Sequence, residues 1–197
     1  MLQQFLNSLP GIVYIIDPNE KIQYYTRSRW NEFAQNNDAP DMAAEENILG
    51  HSLFDFIDGE EVRESYRDFQ HMLWTGRRNL IPLTYRCDAP SIRREMYMEM
   101  SKCAFGDDLE GILYRSVPVH TQQRPALEFL SKERQNALLP DAPIVTICSY
   151  CLDLRDKDTG EWIRPEEYYR RGGEQDVALS HGICTECMET KIRPLLN

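Results

Sequence analysis

The sequence predicts an α+β fold, in which one antiparallel sheet with flanking helices covering one of its faces is followed by a small module holding four cysteines. Three observations carry this reading. Three strand-like runs follow one another between residues 79 and 120 with no helical pattern between them, as consecutive antiparallel strands do. A single long segment, Glu60 to Leu73, has Val62, Tyr66, Phe69, Met72 and Leu73 at helical spacing. Two Cys-x-x-Cys pairs, Cys148/Cys151 and Cys184/Cys187, close the chain.

The elements follow in order. Leu2, Phe5, Leu6 and Leu9 mark a short amphipathic helix that Pro10-Gly11 stops. GIVYIID and KIQYYT, joined by the turn PNE, predict a hairpin over 11–26. Trp30 and Phe33 share one face of a short helix over 29–36, and a polar loop follows. The long helix has Glu60 and Glu61 in its first turn and Gly76 where a C-cap belongs. The runs NLIPLTYRCD, RREMYMEMSKCAF and EGILYRSVPVH are the three strands, and Met96, Met98 and Met100 share one face of the second. Leu127, Leu130, Leu138 and Leu139 form a helical stripe between prolines, so 121–143 is expected to be a linker helix or partner-facing segment. This divides the chain into a body over 1–120, a linker over 121–143 and a cysteine module over 144–197.

With 197 residues, of which 42% are hydrophobic, the chain has enough apolar content for one ordinary core and a small second one. The net charge of -10 is spread along the chain, so neither part offers the basic face that binding a phosphate backbone requires. The N-terminus MLQQFLNSLPGIVYIID has no basic n-region, and no window approaches a membrane span. The expectation is a cytoplasmic protein bound to neither membrane nor nucleic acid. In that reducing setting cysteines ligate metals, do redox chemistry or pack. Cys87 and Cys103 lie in strand-like surroundings and are expected to be buried packing residues.

A two-residue spacer lets the chain turn back so that both sulfurs face one centre, and two such knuckles complete a tetrahedron. The expected ligands are Cys148, Cys151, Cys184 and Cys187, and the expected ion is zinc. The 32 intervening residues exceed the usual ribbon spacing of about 15–20. They therefore need structure of their own, supplied by a strand stub at EWI and a two-turn helix over RPEEYYRRGG. CTECMETKIRPLL is a terminal helix whose first turn carries the second pair, which makes the site treble-clef-like. The favoured role of the metal is a staple, since roughly 50 residues bury too little core and bound zinc supplies about 10–16 kcal/mol of apparent folding free energy. A reversible thiol switch is the alternative. A c-type haem would need histidine where Leu152 and Met188 stand, whereas an iron–sulfur cluster could use four thiolates too, with a spacing less suited to it. His181 could replace a thiol, and with four cysteines present it is expected to support the site by hydrogen bonding instead.

LPGIVYIID, ILGHSLFDFI, the long helix ending in WTGRRN and the three-strand run together resemble a PAS domain over about residues 1–120. The resemblance implies a sensory body able to hold a small ligand; Met96, Met98 and Met100 with Phe54, Phe56, Tyr66 and Phe69 could line such a cavity, though a stripe of this kind is more often plain core. His71 stands where some haem-binding relatives carry their axial ligand, and GRRNL lacks the reactive cysteine of flavin photosensors. ICSYC, LRDKDTGEW, PEEYYRR and SHGICTEC resemble a segment found at the ends of bacterial signalling proteins; Thr185 departs from it where proline is common. No phosphate loop, nucleophile elbow, HExxH or kinase signature is present, so the chain is expected not to be an enzyme. The expected function is a homodimeric sensor passing a signal to another signalling protein, with a thiol redox sensor and a haem or flavin sensor as alternatives. Arg86, Arg93 and Arg94 around Asp88 and Pro90 are expected to form a hairpin salt-bridge set or bind an anion.

Overall fold

The computed structural model describes residues 2–37, 39–105 and 109–196. Helix α1 (Leu2–Ser8) leads into the hairpin of β1 (Ile12–Ile16) and β2 (Ile22–Tyr25), and α2 (Arg27–Asn36) follows. The hairpin turn is closed by the Asp17 carboxylate, which accepts the backbone N–H groups of Asn19 and Lys21 at 2.8 and 3.0 Å. After a run of short 3-10 turns come α3 (Glu60–Trp74), β3 (Ile81–Arg86), β4 (Ile92–Ala104) and β5 (Glu110–Gln123). The five strands form one antiparallel sheet in the order β2-β1-β5-β4-β3.

The period-two pattern of β4 puts Met96, Met98 and Met100 on its buried face. Met98 and Met100 meet Val62, Phe69, Met72 and Leu73 of α3 in the main core. On the opposite face of the sheet, Leu6 of α1 packs with Val13, Ile15 and Phe105. The helices therefore flank the sheet on both faces, where cover on one face was expected, because β1 alternates apolar residues to both sides.

The segment 121–143 is not a linker helix. β5 runs on to Gln123, and α4 spans Lys132–Ala137 alone. Leu127 and Phe129 are buried against Val145, Ile147, Leu154 and Val177, so the apolar stripe covers a second small sheet and presents no continuous helical face. That sheet runs β8-β7-β6-β9, from β6 (Ile144–Cys148), β7 (Leu154–Arg155), β8 (Trp162–Ile163) and β9 (Ala178–Gly182), with α5 (Pro165–Arg170) inserted before β9. β9 pairs with β6 in parallel, Cys148 facing Gly182. The chain ends in α6 (Thr185–Cys187), a π turn over Met188–Ile192, and α7 (Arg193–Leu196).

The tail closes onto the body along α3 and β3. The Arg86 N–H donates to the Tyr150 carbonyl at 2.8 Å, and Lys191 Nζ donates to the Thr84 carbonyl at 2.8 Å, covering what would be an open sheet edge. Cys148, Tyr150, Cys184, Cys187 and Ile192 belong to the same core as α3. At the N-cap of α3, Gly59 has φ +89°, and a Cβ there would lie 2.6 Å from the His181 carbonyl oxygen of β9. Gly59→Ala is therefore expected to cost about 1–3 kcal/mol, from backbone strain and from pushing β9 off the helix. Urea denaturation checks this, and an unchanged midpoint would refute the close approach.

Candidate metal centre

Each cysteine pair is positioned by the backbone around it. β6 ends at Cys148, and the chain turns back at once: Leu152 N–H donates to the Cys148 carbonyl at 2.8 Å, Leu152 adopts φ 62°, and Cys148 N–H donates to the Asp153 carbonyl. This knuckle aims Cys148 and Cys151 at one point. Cys184 is the N-cap of α6, and its Sγ accepts the Cys187 N–H at 3.3 Å, which holds the second pair together. The Cys184 N–H donates to Cys148 Sγ at 3.3 Å, joining the two halves.

All four sulfurs lie within 4.8 Å of one another, and Cys151 and Cys184 are 3.7 Å apart. Sulfurs placed about 2.3 Å from a tetrahedral centre are separated by about 3.8 Å, so the cluster has the size of a four-thiolate metal site. No disulfide joins any cysteine among the described residues. Cys148, Cys184 and Cys187 are buried and Cys151 is half-buried. Thiol hydrogen bonds from Cys151 and Cys187, aided by backbone N–H groups, draw the Cys148 pKa far down. Donation to Cys148 raises Cys151 and Cys187, and burial raises Cys184. Four thiolates this close together repel one another, so a divalent cation would be needed to hold all four ionised. The residues fit a metal ion.

His181 does not join the four sulfurs: its Nδ1 lies 4.0 Å from the Asp58 carboxylate, and burial lowers its pKa. Cys87 and Cys103 are half-buried, where full burial was expected. Enough of the Cys87 thiol is enclosed that burial pushes its pKa up to about 11, leaving it inert near neutral pH.

A second feature lies between the sheet and α2. A cavity of about 310 Å³ is walled by Tyr14, Trp30, Phe33, Phe56, Tyr66, Tyr85 and Met98, with Ser116 and Asn37 as polar contacts. Of the stripe expected from sequence, Met98, Phe56 and Tyr66 reach this cavity, while Met96, Met100, Phe54 and Phe69 are plain core. Burial raises the Tyr14, Tyr66 and Tyr85 pKa values, so all three phenols remain protonated donors. His71 is exposed and no part of the cavity wall, which removes it as an axial ligand there.

The expected hairpin salt bridge between Arg86 and Asp88 exists, and it is larger than the sequence suggests. The Asp88 carboxylate also pairs with Arg124 at 2.8 Å, and both arginines reach Glu166 of α5, at 3.2 and 2.6 Å. Arg94 takes a different partner, Asn37, at 3.0 Å.

No family profile matches the chain, and no curated protein matches it in sequence. Among solved structures, the PAS domain from Bordetella pertussis BvgS aligns with a TM-score of 0.45 at 11% identity, over 60% of this chain and 84% of that one. A C-terminal domain from Streptococcus mutans aligns with a TM-score of 0.40 at 12% identity, over 60% of this chain and 82% of that one. No helix among the described residues is long and apolar enough to cross a membrane.

Proposed function

We propose that this chain is a non-catalytic sensory protein, in which a PAS-like body holds a small apolar ligand and a zinc-stapled tail passes the signal to another signalling protein. The observation that carries the reading is the position of α3 between the two features. Tyr66 walls the cavity, while its neighbour Ser65 hydrogen-bonds at 2.7 Å to Tyr150, one of the two residues between Cys148 and Cys151. A ligand that displaces Tyr66 therefore presses on the knuckle through the adjacent residue of the same helix. The same donor set favours zinc, since four thiolates in a knuckle and a helix turn satisfy a closed tetrahedral shell and leave no open position for chemistry. Bound zinc would keep Cys148, Cys151, Cys184 and Cys187 ionised and joined.

Elemental analysis and an optical spectrum of the purified chain test this. One zinc per chain and no visible band are expected, with free-thiol counts unchanged by mild peroxide. A coloured protein would point to haem, flavin or an iron–sulfur cluster. Release of zinc with disulfide formation under the same peroxide would replace the staple with a thiol switch.

A further inference from the structure

We propose that the seam between body and tail is a docking groove for an acidic segment of the partner protein, and that it exists only while the tail is closed on its metal. This rests on the signalling reading above and names the chemistry of its partner. The groove, about 570 Å³, has Arg93 and Arg124 on the body wall and Arg164 and Arg170 on the tail wall, with Ile163 and the carboxylates of Glu166 and Glu167 also in its lining, so the arginines outnumber the acids four to two. Arg93 and Arg164 also line an adjoining cleft of about 250 Å³ beside Cys151 and Cys187, to which Lys191 adds a further cation.

These cations are not equivalent. Arg124 is held by Asp88 and Glu166, and Arg170 by Glu167. Arg93 and Arg164 make no ion pair or side-chain hydrogen bond among the described residues, and both line the groove and the adjoining cleft, where Asp153, near Arg164, and Glu186 are the acidic residues. Guanidinium groups take carboxylates in a bidentate fork, so two free ones lining one groove, with Ile163 at its side, suit a peptide that carries acidic and apolar side chains together. The chain as a whole has a charge of -10, so attraction for such a segment arises at short range and weakens with salt. Because each wall belongs to a different part of the chain, releasing the tail takes the groove apart.

The test uses the full chain and two fluorescein-labelled peptides, one alternating glutamate with leucine and the other lysine with leucine, followed by fluorescence anisotropy. The glutamate peptide is expected to bind and the lysine peptide not to. Arg93→Glu combined with Arg164→Glu should weaken binding by about tenfold or more while the variant keeps its metal. Stripping the metal with a strong chelator should also abolish binding. Equal binding of both peptides, or affinity unmoved by the double reversal, would overturn the proposal. So would loss of metal from the double variant, since the arginines would then only balance the charge of the thiolates. A change in sedimentation of the free double variant would make a second copy of the chain the occupant and overturn it as well. A wild-type chain that binds the glutamate peptide through Arg93 and Arg164 but holds a metal other than zinc would sink the zinc reading and leave the groove standing, whereas binding by a chain stripped of all metal would overturn the groove's dependence on the closed tail.

Discussion

Cys184→Ala is expected to purify without metal and with its tail unfolded. The side chain is buried and caps α6 through its sulfur, while the backbone N–H of the same residue donates to Cys148 Sγ. Losing it removes one ligand and one helix cap together. Metal binding in comparable small modules supplies about 10–16 kcal/mol of apparent folding free energy, as much as the whole stability of an ordinary domain. The tail has little to set against that loss, since its own core is Val145, Ile147, Leu154 and Val177 under Leu127 and Phe129.

Hydrogen exchange checks the prediction by region. Amides from 144 to 196 should exchange at near-unfolded rates in Cys184→Ala and in chelated wild type, while β4 and β5 stay protected. The body should survive at a lower melting temperature, because α3 loses the cover of Cys148, Tyr150 and Ile192, and the β3 edge loses Tyr150 and Lys191. Cys103→Ala, at a half-buried site on the far face of the sheet, should move stability by about 0.5 kcal/mol or less and serves as the control. Native protection of the tail without metal would sink the staple.

What was legible in the sequence divides by range. The phase of α3 could be read because Val62, Phe69, Met72 and Leu73 repeat within one helix, and the sheet because three alternating runs follow in succession. The cysteine pairs could be read because a knuckle is set by its own spacer. The segment after β5 misled, because Leu127 and Leu130 have helical spacing but are held by a sheet formed from residues much further along. The parallel pairing of β6 with β9 left no trace, since ALSHG alternates weakly and its partner strand lies across an inserted helix. For the cavity, β4 fixes which face its methionines share. Only the packing of α2 and the turns after it decides that Met98 meets empty space while Met96 and Met100 do not.

Asp88 is the residue that the sequence undervalued most, and Asp88→Asn should be among the most damaging single changes outside the cysteines. Its side chain is 0% exposed and neutralises Arg86 and Arg124, themselves 10% and 7% exposed. The same carboxylate accepts the Arg94 backbone N–H at 3.0 Å, so it also holds the β3–β4 turn. Asparagine fills the same space without the charge, which leaves two nearly buried guanidinium groups sharing Glu166. Removing one partner of a buried pair costs about 3–5 kcal/mol, mostly for the charge left behind. Arg86 also donates to the Cys151 carbonyl at 3.2 Å, so the loss should loosen the tail before the sheet. Burial opposes ionisation of Glu166, but its own backbone amide, Arg124 and Arg86 outweigh that, and its carboxyl titrates below the usual 4.5. Its contribution is therefore complete above pH 4.5 and is lost as the pH falls through its lower folded value. Acid should open the seam of the wild type in that window. Urea denaturation at neutral pH measures the first claim, and its repetition down to pH 3 measures the second. A loss under about 1 kcal/mol would mean that the arginines are satisfied by Glu166 and the backbone alone, and that Asp88 is a turn residue rather than the anchor between body and tail.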